Sequence, residues 1–462
     1  MLFDREVYLQ RRSALRRLVS SGVALFLGND ESPMNYADNP YPFRQDSTFL
    51  YFFGIDRPGL AALVDLEQER EILFGDDRSV EEAVWMGPGE RLVEVGGRAG
   101  VRQVLRRADL EEAVRRERAS GRKVHVLPPY RPEHVLKLAF IFKVPPRDAS
   151  RLASEELIRA VVELRSRKGP EEIEQLEEAL ELCAAMQLEA MKRTRPGVLE
   201  REVVSAMEGL LLSKGSRTSF PTIFTMRGEI LHNHYHGNVL QPGGLVINDS
   251  GAESPAHYAG DITRTLPVSG KFDPLQRDVY QLVLKAQQEA LAAMKPGVLF
   301  RNVHLLACRV LTEGLIEMGL MRGDPEEAVA AGAHALFFPC GLGHMIGLDV
   351  HDMEGLGEDY VGYTEKITRS SQFGLKSLRM ARALEESFCV TVEPGLYFNP
   401  FLAERWRADG LHRDFIDYGA FEKFSSFGGI RIEDDVVVTR EGARILGPPI
   451  PKKIEAIEQI MS

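Results

Sequence analysis

Five side chains in this sequence have the types and surroundings to do chemistry together: Asp249, Asp261, His344, Glu393 and Glu433. Each ends or sits inside a short β-type run or a glycine-flanked stretch. Asp249 follows GLVIN, Asp261 opens DITRT, Glu393 closes CVTVE, and Glu433 lies within GIRIEDDVVVT. His344 stands in CGLGHMIGLDVHD. Four carboxylates cannot converge in a protein interior unless cations neutralise them. Together with one imidazole they form a donor set for two divalent cations, and the chemistry such a pair supports is hydrolysis.

Plainer readings compete at each position. Asp249 and Asp261 flank DSGAESPAHYAGD, and a hairpin would bring both carboxylates together; a loop Asp and a turn Asp is the simpler alternative. Glu393 stands where a buried run meets Pro394-Gly395, so it needs a partner, either a cation or a salt bridge. Arg431 and Glu433 share one strand face by period two, which makes a plain ion pair a rival. His344 and His351 lie too far apart to be neighbours on one strand. Gly341, Gly343 and Gly347 point to backbone packed closely around this stretch.

The elements that must position these groups fall into two parts. Residues 1–167 alternate helical and strand-like pieces such as VALFLGN, LAALVDL and KVHVLPP, beginning with an amphipathic helix in MLFDREVYLQRRSALRRL. They read as a smaller α/β domain. Residues 168–462 form the second domain, opened by a helix with Pro170 at its start, Glu171 and Glu172 in its first turn, and Pro196-Gly197 as its stop. This domain contains a repeat. PGVLEREV at Pro196 and PGVLFRNV at Pro296 match at six of eight positions, each after a helix and before another. A unit used twice predicts a pseudo-twofold α/β domain with a site between its halves. Asp249 and Asp261 come from the first half; His344, Glu393 and Glu433 come from the second.

Composition narrows the class. The chain has 462 residues, 44% apolar and 27% charged, with a formal charge of −11 and no basic block, which argues against a nucleic-acid partner. No apolar run is long enough to span a bilayer, and no signal-type apolar region opens the chain. Cys183, Cys308, Cys340 and Cys389 lack CxxC spacing and read as reduced thiols, mostly core, in a cytoplasmic protein.

VINDSGAE…YAGDITRT, GLGHMIGLDVHD, TVEPGLY and GGIRIEDD together resemble the four blocks of the pita-bread metallopeptidases, closest to the proline-specific branch of aminopeptidase P and prolidase. YPFRQDSTFLYFFGI extends the resemblance into the N-terminal domain. The resemblance implies a pita-bread catalytic domain whose Asp249 chelates one metal, while Asp261 and Glu433 bridge both and His344 and Glu393 hold the second. Glu393 would also shuttle the proton to the leaving nitrogen, and His351 would stabilise the developing oxyanion. Arg431 would orient Glu433, and Tyr397 would line the site. His232 resembles the first substrate-facing histidine, with His234 the alternative in LHNHYHGN. Cys340 stands where the family usually has a histidine, and the turn before CVTVE lacks the usual Pro-Gly.

The implied substrates are peptides with proline in second position, and the implied metals are Mn²⁺ foremost, with Co²⁺, Zn²⁺ or Fe²⁺ as alternatives. Arg379, with Arg382 as its competitor, matches the arginine with which prolidases hold a dipeptide carboxylate. Dipeptidase and aminopeptidase therefore both stand. Methionine aminopeptidase-type and creatinase-type hydrolases, and a non-catalytic binding protein on the same fold, are the rivals. The N-terminal resemblance implies a homodimer or homotetramer in which residues near Asp38 or Trp85 reach a neighbour's site, although Trp85 also reads as core.

Overall fold

Short apolar runs bounded by Gly, Pro and Asp become strands. The computed structural model describes residues 2–462, so the Met1 end of the predicted N-terminal helix lies outside the described residues. That helix runs Arg5–Leu18 and buries Tyr8, Arg11, Arg12 and Leu15 along one face. Among the described residues no helix is long and apolar enough to cross a membrane. The chain divides into two units, one reaching Arg165 and taking in Met353–Tyr360, the other Ser166–Asp352 with Val361–Ser462.

The first unit is built on a five-stranded sheet of β1 (Val23–Leu27), β2 (Ala61–Asp65), β3 (Glu71–Phe74), β4 (Gln103–Leu105) and β5 (Val124–Val126), in the order β4-β3-β2-β1-β5. β1 pairs with β5 and β3 with β4 in parallel; the pairs inside are antiparallel. One sheet face packs Leu25, Leu63, Phe74 and Val126 against Leu110, Val114, Leu138 and Ile141 of the covering helices. Trp85 corrects the core reading. It lies on the short helix Val80–Met86, held by a Ser79–Glu82 capping box, and is 80% exposed.

The second unit shows the repeat as structure. Helices Pro170–Arg193 and Glu200–Ser213 precede β6 (Ile223–Thr225), β7 (Leu245–Ser250) and β8 (Ile262–Pro267). Helices Pro274–Ala293 and Phe300–Glu317 precede β9 (Cys389–Val392), β10 (Gly395–Tyr397), β11 (Gly429–Arg431), β12 (Asp434–Val438) and β13 (Ala443–Ile445). The two PGVL turns are superposable in kind. Gly197 and Gly297 both take φ +87°, a value glycine adopts without penalty. Gly197 N–H donates to the Leu240 carbonyl and Gly297 N–H to that of Leu384; Leu240 and Leu384 return bonds to Val198 and Val298. The strands form three antiparallel sets, β6-β7-β8, β13-β12-β9 and β10-β11.

Candidate metal centre

The four carboxylates each sit at or next to the end of a strand. β7 and β8 pair antiparallel with Asp249 opposite Thr263, so the hairpin forms as predicted and places Asp261 just before β8. Glu393 follows β9, and Glu433 lies in the break between β11 and β12. His344 is carried by an irregular glycine-rich segment stitched to β9. Its N–H donates to Thr391 Oγ1 at 3.1 Å, its carbonyl accepts from Thr391 N, and Glu393 N–H donates to the Leu342 carbonyl at 2.8 Å. Gly343 permits that approach, since a Cβ there would lie 2.0 Å from the Thr391 carbonyl oxygen.

The groups converge. One donor atom each of Asp261, His344 and Glu433 lie within 4.8 Å of one another, all three residues buried. His344 Nε2 stands 3.5 Å from Asp261 Oδ2 and 3.6 Å from Glu393 Oε1, while its Nδ1 faces the Met345 carbonyl at 3.0 Å. Asp249 Oδ2 accepts from Arg431 Nη2 at 2.5 Å. Among the described residues, Asp249 Oδ1 and Asp261 Oδ1 find no hydrogen-bond partner, and both are buried. Carboxylate oxygens left bare in an interior are costly unless a cation takes them, so this donor set fits divalent metal ions.

The electrostatics give the same answer. Burial lifts the Asp249 carboxyl to about 7; Arg431 opposes this, while Asp261 and Glu393 add to it. Burial and the neighbouring acids raise Glu433 well above the carboxylate range and raise Glu393 as well. Burial alone would lower His344, but Asp261 and Glu393 carry it upward. Burial and mutual repulsion oppose full ionisation of this cluster, and bound cations would relieve both. Glu393 is the most open of the set, its side chain 20% exposed against 8% for Asp261.

The remaining predicted residues fall into different positions. Arg431 departs from the reading. It does not bond Glu433; its guanidinium reaches across to Asp249, to Tyr397 Oη at 2.9 Å and to Thr263 Oγ1 at 3.1 Å. Thr263 takes the expected role, its hydroxyl donating to Glu433 Oε2 at 2.6 Å. Tyr397 is buried on β10, with Cys340 Sγ 4.0 Å from its hydroxyl. Burial pushes the Cys340 thiol up to about 12, which keeps it protonated. The His351 ring meets the His344 ring edge-on at 4.3 Å, and burial with His344 and Arg379 pushes it down to about 2.

Of the three clustered histidines, His232 lies in the field of Arg431, Arg379 and Asp261; partial desolvation lowers it although the residue is open to solvent. His234 is exposed, and His236 is held by the Thr222 carbonyl at 3.0 Å. Arg382 is engaged elsewhere, donating to Ser166 Oγ and stacking over Phe388. Arg379 acts on both His232 and His351.

Three supports escaped sequence reading: Thr263, Thr391 and Asp435. Asp435 accepts the Asp261 N–H at 3.0 Å, while Asp434 is paired with Arg264 and Lys452. Period two was the available signal, since Thr263 is two from Asp261 and Thr391 two from Glu393.

Comparison with known proteins identifies the family. The aminopeptidase P N-terminal domain matches residues 8–126, and metallopeptidase family M24 matches residues 174–440. The chain belongs to metallopeptidase family M24. This M24 member is 32% identical to the human Xaa-Pro dipeptidase over 453 residues, 96% of this chain and 89% of the human one. It is 31% identical to the Xaa-Pro aminopeptidase of Escherichia coli strain K12 over 472 residues, covering 99% and 98% of the two chains. Among solved structures it resembles the aminopeptidase PepP of Pseudomonas aeruginosa (TM-score 0.82, 27% identity, 100% and 99% covered). It also resembles E. coli aminopeptidase P in complex with substrate (TM-score 0.81, 29% identity, 99% and 98% covered). The mixed α/β fold, with an N-terminal domain before the M24 domain, is that of the aminopeptidase P structures.

Proposed function

We propose that Asp249, Asp261, His344, Glu393 and Glu433 are the ligands of the divalent metal ions this M24 enzyme uses. The chain is a metal-dependent Xaa-Pro peptidase, releasing the residue that precedes proline. The observation that carries the site assignment is the convergence of Asp261, His344 and Glu433 around bare buried oxygens. When bound, the ions supply Lewis acidity toward the scissile carbonyl and lower the pKa of water.

The protein's own groups do the rest. Glu393, partly open beside His344, takes up a proton and delivers it to the imide nitrogen, which leaves poorly until protonated. His351 is neutral at working pH and offers a ring N–H to the carbonyl oxygen as charge develops there. His232 faces the substrate, with Arg431 holding Asp249 and Tyr397 in place. Hard oxygen donors with one imidazole suit Mn²⁺, with Co²⁺, Zn²⁺ and Fe²⁺ accommodated. Residues 1–167 serve as the aminopeptidase P-like domain and 168–462 as the catalytic domain, in a cytoplasmic homodimer or homotetramer.

Arg379 favours one of the two specificities. Its place in the field of His232 and His351 suits a guanidinium that pairs with the free carboxylate of a dipeptide. Mn²⁺-loaded protein given Ala-Pro and Ala-Pro-Ala in parallel, with free alanine followed, tests this. Preference for the dipeptide, lost in Arg379→Met, establishes the dipeptidase; efficient tripeptide cleavage makes it an aminopeptidase and leaves Arg379 structural. Cleavage of neither by metal-bound protein overturns the specificity.

A further inference from the structure

A second set of metal-ligating side chains lies in the catalytic unit, built entirely from residues the peptidase chemistry does not use. His304 and Cys308 are one turn apart on the helix Phe300–Glu317, with Cys308 Sγ 3.4 Å from His304 Nε2. His334 comes from the single 3₁₀ turn Ala333–Leu336. One donor atom from each of the three lies within 4.8 Å of the other two, and all three residues are buried. The Sγ–Nε2 separation matches the roughly 3.5 Å expected between a thiolate and an imidazole on one tetrahedral Zn²⁺, given bond lengths of about 2.3 and 2.0 Å.

What the cluster lacks is as telling as what it contains. The thiol–imidazole contact leaves His304 Nδ1 and both ring nitrogens of His334 buried with no hydrogen-bond partner among the described residues. A ring nitrogen left unmet in an interior is costly. The Val329 backbone acts on the His334 ring, and among the described residues no carboxylate acts on either imidazole. Burial, with repulsion from other imidazoles, drives His304 down to about 3 and His334 to about 4. Both rings are therefore neutral, with lone pairs to give.

We propose that His304, Cys308 and His334 form a separate mononuclear site for a thiophilic divalent ion, Zn²⁺ in the first instance. Binding exchanges the Cys308 Sγ proton for the cation and releases that proton to solvent. The donor set differs in kind from the carboxylate centre, so the two sites select different ions. The ion ties the helix Phe300–Glu317 to the turn at 333–336. From that turn the chain runs on to Cys340 and His344, so the site anchors the segment that presents a ligand of the carboxylate centre.

The test uses the full-length chain. Loaded with Zn²⁺ and freed of excess metal, wild-type protein binds one ion per chain more than Cys308→Ser or His334→Gln, counted by native mass spectrometry. Loaded with Co²⁺, wild type shows a near-ultraviolet thiolate-to-cobalt charge-transfer band. Cys308→Ser and His334→Gln lose the band and Cys340→Ser keeps it; unchanged far-ultraviolet circular dichroism shows that each variant has folded. Absence of the band in wild type, equal metal content in all forms, or loss of the band in Cys340→Ser would each overturn the proposal. If Cys308→Ser does not fold, His334→Gln, which keeps the thiol, decides alone. Because the carboxylate centre has no thiolate, the band reads this site even if the peptidase ligands are misassigned.

Discussion

Gln187 and Gln287, one hundred positions apart, make the same contact in the two halves of the catalytic unit. Gln187 Nε2 donates to the carbonyls of Asn248 at 3.4 Å and Ile262 at 2.8 Å. Gln287 Nε2 reaches those of Val392 and Ile432, both at 3.4 Å. Every one of those carbonyls is the immediate neighbour of a proposed ligand: Asp249, Asp261, Glu393 and Glu433. Two buried amides, one from each repeat, hold four carboxylates in register.

Replacing Gln287 with Leu strips that clamp from two interior carbonyls. Stability should fall by about 1–3 kcal/mol, the cost of leaving buried acceptors unmet, with Gln187→Leu behaving alike. Urea unfolding of the metal-free protein measures it. A neutral effect in both variants would mean the strands hold their register without the amides.

Thr263 supports both Glu433 and Arg431 through one hydroxyl. Thr263→Val keeps the shape and removes the bonds. Metal affinity or turnover should drop roughly 10–100-fold, the usual effect of losing a ligand's hydrogen-bond partner. Metal titration followed by calorimetry, alongside rates at saturating metal, separates the two readouts.

Asp261→Asn tests the ligand set itself. Its carboxylate stands 3.5 Å from His344 Nε2 and acts on Asp249, so losing its charge should cost more than the Thr263 change, beyond about 100-fold in turnover. Peptide hydrolysis at matched metal content, with metal counted by mass spectrometry, is the measurement. Normal rates would remove Asp261 from the centre.

The N-terminal unit should lose stability in mild acid. His125 is fully buried, its ring between Ser154 Oγ at 2.7 Å and the Ser21 carbonyl at 3.0 Å, and burial lowers its pKa. The folded state keeps this imidazole neutral, whereas the unfolded chain takes up a proton near pH 6.5. The unfolded state thus binds more protons, so stability is full above pH 6.5 and declines as pH falls toward the lowered folded value. Denaturant midpoints across that range should show the decline, and His125→Gln should flatten it.

Ser387, in the turn before β9, takes φ +69°. A non-glycine residue there costs about 1–2 kcal/mol, partly offset by the flexibility that glycine adds to the unfolded chain. Ser387→Gly should therefore raise stability by roughly 0.5–1 kcal/mol. A lower melting temperature would show that the hydroxyl holds the turn.

The candidate site was legible in the sequence because the proposed carboxylate ligands sit at strand ends, where Gly, Pro and Asp punctuate short apolar runs. Pro170 and Pro196-Gly197 marked the opening helix for the same reason. The partners of those ligands were harder to read. Thr263 meets Glu433 across 170 positions and Arg431 meets Asp249 across 182, and no periodicity encodes a contact between strands whose pairing is unknown. The period-two reading pairs Arg431 with Glu433, but the chain breaks between β11 and β12 and the long side chain reaches a carboxylate on another strand instead. Trp85 misled differently: its apolar character suggests burial, yet the capped helix that carries it presents Val84, Trp85 and Met86 outward. The His304–Cys308–His334 group left only an i, i+4 pair in the sequence, with the third member beyond the end of the helix.

The glutamine clamps also bear on how the enzyme comes into being. Each half supplies carboxylates already fixed in register, but neither half owns the imidazole and all four acids. A nascent or partly melted chain in which the halves have not met therefore has no complete centre. Hydrolytic capacity therefore needs the long-range contact that brings the two halves together, a slow kind of contact for a chain to make, so a chain whose halves stay apart should be catalytically silent.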